Sequence, residues 1–393
     1  MKILTFSTLY PDKVRTRHGI FVETRLRHLV ANGNVESRVV VPVPWFPLQL
    51  GPYAEFARIP KEDIRHGISI QYHRFPLIPK IGMTLSPFLM AVFLYPTLKK
   101  IINEGYDFDL IDAHYFYPDG VAAALLSKWL NKPLTITARG TDLSLIPQYT
   151  LPRKMIQWAA KKASGMITVC QALKNTLVNE LNVEEKKVFS LRNGVDLKLF
   201  YPSPERELIR KKLDIKDKSI ISVGHLIERK GHHLVIEAML KCADVTLYIA
   251  GDGEEENNLK ALVSKLKLES RVIFLGALLQ EQLRAYYCAV DMLILASSRE
   301  GWANVLLESM ACGTPVVATN VWGTPEVVSE PEAGVLVDRT ITSIADGIKQ
   351  LFQNYPDRKL TRKYAENFNW DSTTDGQEKL FDSIIKNRIN YDT

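Results

Sequence analysis

The segment Glu300-Gly-Trp-Ala-Asn-Val-Leu-Leu-Glu308 carries two carboxylates eight positions apart around a glycine. The apolar run Met292-Leu-Ile-Leu-Ala-Ser297 before it reads as a buried strand, residues 303–312 after it as a helix, and Pro315–Thr319 as the next strand. Glu300, Gly301 and the amides around Ala303, Asn304 and Val305 therefore meet at a helix N-terminus, at the carboxyl end of a strand. Open parallel sheets bind ligands at that end, and free amides at a helix N-terminus bind phosphate. Glu308 lies more than one turn into the helix. Carboxylates accept hydrogen bonds from hydroxyls, so the arrangement suits a ligand with hydroxyls at both ends and phosphates between them. A nucleotide sugar is such a ligand. An ordinary strand–loop–helix would explain Leu306, Leu307 and Met310 as core residues, but not acids at both ends of a glycine-containing loop.

Other chemistry-bearing residues fall at similar places. Ser222-Val-Gly-His-Leu-Ile-Glu-Arg-Lys-Gly231 spans a strand end and a helix start, and brings Gly224, His225, Arg229 and Lys230 there. Gly19 lies between the first strand and the first helix. His114 ends a strand, and Thr137-Ala-Arg-Gly-Thr-Asp142 ends the next, placing Arg139 and Asp142. Arg139 could bind an anionic donor group or acceptor, or pair with Asp142. Asp252 follows a strand and could shape a pocket or a turn. Asp107-Phe-Asp109 has a metal-binding spacing but precedes its strand, at the wrong end of a sheet, and reads as a solvated strand start. No convincing metal ligand set is visible. No intact G-x-G-x-x-G is present, which argues against nicotinamide binding.

These residues need two sheets to position them. In the first half, Ile3–Thr8, Val35–Val41, Leu110–His114, Leu134–Ala138, Met166–Val169 and Val188–Leu191 read as strands. Val22, Leu26, Leu29 and Val30 fall on one face of a helix between the first two. The pattern restarts with Ser219–Leu226, Val245–Ala250, Val272–Leu275, Met292–Ser297, Pro315–Thr319 and Gly334–Val337. Such alternation predicts α/β domains with parallel, doubly wound sheets. The turn-rich segment from Arg192 to Pro204, with Asn-Gly and two prolines, marks a junction. We expect one domain over 1–200, a second over 201–371, and a last helix near 372–388 packing back on the first.

A chain of 393 residues suits two cores. Residues 1–200 hold 26 Lys/Arg against 16 Asp/Glu, and the remainder 24 against 28. Residues 1–100 alone hold 14 against 6, a basic region able to attract anionic lipid or an anionic acceptor. No nucleic-acid motif accompanies it. The four scattered cysteines read as free thiols of a reducing cytosol. The N-terminal apolar run is too short for a signal peptide and reads as a strand. Residues 81–98 lack charge but contain Pro87 and Pro96, so they read as a buried or interfacial helix rather than a membrane span.

The Glu300–Glu308 string and the run after it resemble the donor-site signature of family 4 glycosyltransferases, and the resemblance covers nearly the whole chain. It implies the GT-B fold, two Rossmann-like domains facing across a cleft. It implies a retaining transfer from a nucleotide-diphosphate sugar on the second domain to an acceptor on the first, with no cofactor and no essential metal. By the same resemblance Glu300 holds sugar hydroxyls, Glu308 holds the ribose, and the amides of residues 303–305 contact phosphates or sugar. The family pattern puts Arg directly after the first glycine and Lys six residues after it. Lys230 matches the lysine, but His225 stands at the arginine position, with Arg229 as possible compensation. A cation there neutralises the departing diphosphate. At Gly19 the family often has a glycine pair, and one glycine still permits approach to a phosphate. The family's matching histidine implies that His114 contacts sugar or acceptor. Relatives often have His where Arg139 stands.

His18-Gly-Ile-Phe-Val-Glu, Val43-Pro-Trp-Phe-Pro and the Ala-Arg-Gly-Thr-Asp string resemble the bacterial teichuronic-acid branch, which builds surface polysaccharides on lipid carriers. That implies a lipid-linked or oligosaccharide acceptor and a cytoplasmic protein peripheral to the inner membrane face. Two other classes fit the same residues. A nucleotide-sugar epimerase of similar fold would release epimerised sugar without acceptor, and a non-catalytic sensor would bind donor without turnover.

Overall fold

A computed structural model describes residues 1–47, 52–77, 82–216 and 218–392. The chain divides into two compact units: residues 1–192 with 371–393, and residues 193–370. The helices used below are α1 (Ile20–Ala31), α2 (Gly82–Asn103), α3 (Val121–Leu130), α4 (His232–Ala238), α5 (Gln280–Ala289), α6 (Asn304–Ala311) and α7 (Asp371–Asp392).

The first unit contains β1 (Lys2–Phe6), β2 (Glu36–Trp45), β3 (Glu62–Arg65), β4 (Ile68–Pro76), β5 (Leu110–His114), β6 (Leu134–Ala138), β7 (Gly165–Thr168) and β8 (Val188–Ser190). They form one sheet in the order β3-β4-β2-β1-β5-β6-β7-β8. Every neighbour pair is parallel except β3–β4. The six strands expected from apolar runs are present. The β3–β4 hairpin was not expected, because β4 is an outer strand that mixes buried Ile68, Ile70 and Tyr72 with Gln71, His73 and Arg74. Its tight turn uses His66 and Gly67, both with positive φ.

The second unit contains β9 (Ser219–Val223), β10 (Thr246–Ala250), β11 (Val272–Gly276), β12 (Met292–Leu295), β13 (Val316–Thr319) and β14 (Gly334–Val337), in the order β11-β10-β9-β12-β13-β14, all parallel. Strands covered on both faces read as continuous apolar runs. Accordingly Ile220, Leu247, Ile249, Ile294 and Val317 share one core with Val235 and Ile236 of α4. The order reverses between β9, which leads outward to β10, and β12, which lies on its other side. The loops after these two strands therefore border the crevice where doubly wound sheets bind ligands. The described residues divide at Arg192/Asn193 and Trp370/Asp371, against expected boundaries after residues 200 and 371. Helix α7 belongs to the first unit, where Arg25 Nε of α1 donates to Gln377 Oε1 at 2.8 Å.

Candidate active site

In the second unit the loops after β9 and β12 converge on Glu300. Ser297 Oγ donates to Glu300 Oε1 at 2.6 Å, and Lys230 Nζ donates to the same oxygen at 2.5 Å. Arg229 Nη1 stands 3.8 Å from it and donates to the Arg299 carbonyl at 2.8 Å. Glu300 Oε2 has no protein partner among the described residues. Burial acts to raise the Glu300 carboxyl, but Lys230, Ser297 and Arg229 outweigh it and hold it below the ordinary carboxylate range.

A glycine makes this convergence possible. The turn Glu228–Lys230 carries both cations and ends at Gly231, whose φ is 71°. A Cβ at Gly231 would fall 2.1 Å from the Ala296 carbonyl oxygen, so only glycine lets the turn close on the end of β12. The aliphatic stem of Lys230 lies across Gly224, just after β9.

Beyond Gly301 and the buried Trp302 and Ala303, α6 begins at Asn304. The first amides of a helix lack intrahelical acceptors, so those of Asn304 and Val305 form the donor edge of the site. Glu308, half-buried in the same helix, receives the Tyr287 hydroxyl of α5 on Oε2 at 3.3 Å. Its Oε1 has no protein partner among the described residues. Burial pushes the Glu308 carboxyl up to about 7, against the pull of that hydroxyl.

His225 is exposed, and its Nδ1 lies 3.6 Å from Asp252 Oδ1. Between the two candidates for a second cation, the structure therefore brings Arg229 to the Glu300 carboxylate and pairs His225 with Asp252. The neighbouring His232 is buried and meets Ser222 Oγ through Nδ1 at 2.9 Å. Burial, reinforced by Lys230, lowers its pKa to about 4, so it is neutral at physiological pH.

The first unit holds a separate network at the carboxyl ends of β5 and β6. His114 is buried. Arg139 Nη2 reaches His114 Nδ1 at 2.5 Å, and His114 Nε2 lies 3.1 Å from Asp112 Oδ2. An arginine can only donate, so Nδ1 accepts and the proton sits on Nε2, facing Asp112. Burial, opposed by Asp112, lowers the His114 pKa to about 4. Asp112 also receives Thr135 Oγ1 and Gln377 Nε2. With both ring nitrogens engaged, His114 itself can meet a ligand only if Asp112 or Arg139 gives way.

The buried Asp142 carboxylate accepts the main-chain N–H groups of Phe116, Arg139 and Gly140. It shapes the loop, while the Arg139 guanidinium turns to His114 and the Phe21 ring. Gly19 opens α1 with φ 68°, and a Cβ there would lie 2.3 Å from the Leu9 carbonyl carbon. The close approach it permits in this structure is to the chain's own loop. Of the D-x-D pair, Asp107 bonds Lys132 Nζ and Asp109 accepts the Lys2 amide, so the two carboxylates serve different partners. All four cysteines are free and buried.

Comparison with known proteins fits this geometry. Residues 205–368 match the family described as glycosyl transferases group 1, and residues 19–199 match glycosyltransferase family 4. The chain is 27% identical, over 88% of its length and 88% of the relative's, to the putative teichuronic acid biosynthesis glycosyltransferase TuaC of Bacillus subtilis. The protein is a family 4 glycosyltransferase with the GT-B fold. The N-acetyl-alpha-D-glucosaminyl L-malate synthase of Bacillus anthracis is 28% identical over 70% of this chain and 74% of that protein. Among solved structures, sucrose-phosphate synthase from Thermosynechococcus elongatus superposes with a TM-score of 0.81 at 19% identity, covering 98% of this chain and 99% of that one. Anabaena HepE in complex with UDP superposes at 0.74 and 20% identity, covering 98% and 100%. At these identities the superpositions speak to the fold.

Sequence reasoning passed over four partners of the site in this glycosyltransferase: Ser297, Tyr287, Asp112 and His232. Asp112 had a usable signal, since it lies two residues before His114 on one strand and so shares its face. Tyr287 had none, because only the packing of α5 beside α6 brings it to Glu308.

Proposed function

We propose that this glycosyltransferase takes a nucleotide-diphosphate sugar as donor and transfers the sugar with retention to a hydroxyl of a lipid-linked surface-polysaccharide precursor, at the cytoplasmic face of the membrane. The observation that carries the donor assignment is the Lys230–Glu300 pair, flanked by Arg229 and followed by the α6 amides and Glu308. Glu300 Oε2 and Glu308 Oε1 are acceptors at the two ends of the segment, with the cations at the Glu300 end and the α6 amides between the two acids in sequence. That order matches sugar hydroxyls, diphosphate and ribose hydroxyls along one donor.

In this reading the diphosphate draws Lys230 from Glu300, and the growing charge on the leaving oxygen strengthens that contact toward the transition state. The bond from the anomeric carbon to the diphosphate oxygen breaks as the acceptor oxygen bonds to the same face. The departing phosphate takes the acceptor proton, so the enzyme needs no carboxylate nucleophile. Arg139 offers a cation to an anionic acceptor or donor group, positioned by His114 and Asp112. The similarity to the teichuronic acid enzyme and the basic first hundred residues support the lipid-linked acceptor and an anionic membrane surface.

The test is a thermal-shift screen against a panel of nucleotide-diphosphate sugars, then turnover with membrane extract and the product anomer read by NMR. Stabilisation by one donor, and transfer with the donor's anomeric configuration, is the expected result. Binding without transfer would make the protein a sensor, and an inverted product would refute the same-face step.

A further inference from the structure

The outward face of α2 is unusual for a surface helix. Such helices bury one apolar stripe and turn charged residues to water. Helix α2 buries Met90, Ala91, Leu94, Leu98 and Ile101. Its opposite face is apolar too: Leu85 is 40% exposed, Phe88 43%, Val92 57% and Phe93 45%. These four fall at i, i+3, i+7 and i+8, one continuous stripe. By length and composition the helix could cross a membrane, yet it packs along α3 and β4 as a flank of the first unit.

The stripe ends in positive charge. Lys99 and Lys100 stand exposed in the last turns of α2, with Lys100 Nζ 3.6 Å from Glu104. Beside them, Tyr95 of α2 meets the 42%-exposed Trp129 of α3 edge to face at 5.8 Å. The adjacent Lys128 is exposed and lines a depression of about 560 Å³ together with Lys132, Lys162 and Arg388. An apolar strip bordered by aromatic rings and lysines complements a bilayer interface, whose acyl boundary is apolar and whose anionic headgroups are negative.

We infer that the outward face of α2, with Trp129 and the lysines at its end, is the surface by which this protein lies on an anionic bilayer. The inference deepens the membrane part of the function proposed above and rests on that part alone. The stripe supplies a salt-insensitive contribution, and Lys99, Lys100 and Lys128 supply one that salt screens.

The test is cosedimentation of the full chain with vesicles of equimolar phosphatidylglycerol and phosphatidylcholine, and with phosphatidylcholine alone, at about 0.05 M and about 0.5 M salt. The wild type should bind the anionic vesicles, more strongly at low salt. Combining Leu85→Ser, Phe88→Ser, Val92→Ser and Phe93→Ser should weaken binding by on the order of tenfold and remove what persists at high salt. Combining Lys99→Glu, Lys100→Glu and Lys128→Glu should weaken low-salt binding by on the order of a hundredfold. Should the serine variant fail to fold by circular dichroism, the lysine variant decides. Wild-type binding that neither variant weakens would overturn the role of α2 and leave the membrane reading standing. No binding by the wild type would overturn both, and a self-associating wild type made monomeric by the serine set would assign the face to a second copy. Glu300→Ala should bind vesicles like the wild type, which separates this outcome from failure of the transferase reading.

Discussion

Removing the Lys230 ammonium leaves the Glu300 carboxylate buried with Ser297 and a more distant Arg229. At an effective dielectric of about 20, unit charges roughly 4 Å apart attract by about 4 kcal/mol. Lys230 lies closer than that, but the carboxylate charge is shared by two oxygens, so this is the scale of the attraction. Breaking a buried pair costs about 3–5 kcal/mol, chiefly through the charge left behind. Arg229 remains and Lys230 is partly solvated, so we expect about 2–3 kcal/mol for Lys230→Met and a similar coupling in a cycle with Glu300→Gln. The wild-type Glu300 pKa is depressed, so its contribution is complete above the unfolded carboxyl pKa and lost as pH falls through the folded value. In Lys230→Met, burial opposes ionisation with less resistance, and the folded state gains affinity for the proton. The deficit of the variant should therefore be largest at neutral and alkaline pH and shrink on acidification. Hydrogen exchange of peptides from β9 and β12 reports this unit without requiring the whole chain to unfold in one step. A coupling below about 0.5 kcal/mol, or a deficit that does not change with pH, would refute the reasoning.

Four further outcomes are expected. Glu300→Ala should lower transfer by about 2–4 kcal/mol in the transition state while the fold persists, as steady-state kinetics and circular dichroism would show. Lys230→Ala should lower kcat as well as donor affinity, and a change confined to KM would make it a ground-state binder only. Gly231→Ala should destabilise the second unit by about 2 kcal/mol or more, through positive φ and the clash with Ala296, read as lost exchange protection in β12. A chelator should leave turnover unchanged, and loss of activity that a divalent ion restores would contradict metal-free transfer.

Legibility followed burial. Strands covered on both faces announced themselves as apolar runs, and Leu110–His114 and Leu134–Ala138 begin and end where those runs do. The β3–β4 pair did not. The alternation along β4 is diluted by Gln71, His73 and Arg74, and its position is fixed by pairing with β2 far away in sequence. In the site, residues joined by a local loop were readable together, as Glu300 was with the α6 amides. Contacts made by tertiary packing were not: Lys230 to Glu300 spans seventy residues and Tyr287 to Glu308 joins two helices. The sequence also left Arg229 and His225 equivalent. Only the closure of the Gly231 turn, and the pairing of His225 with Asp252, tells them apart.

The first unit shows what an arginine at position 139 does to its neighbours. A histidine there would place a second imidazole beside His114, able to carry either protonation state. Arginine cannot accept a hydrogen bond, so its presence fixes the His114 tautomer: Nδ1 must accept, and the proton must face Asp112. Asp112 is in turn fixed by Thr135 and Gln377, and Gln377 by Arg25. The chain of donors therefore runs in one direction from each arginine toward Asp112, with His114 neutral above about pH 4. Burial, then the neighbouring Arg25, lowers the Arg139 pKa to about 9. An anion docking on Arg139 would act against both effects and raise it again. In the function proposed above, a negatively charged ligand would therefore gain most from Arg139, whose guanidinium His114 holds in place.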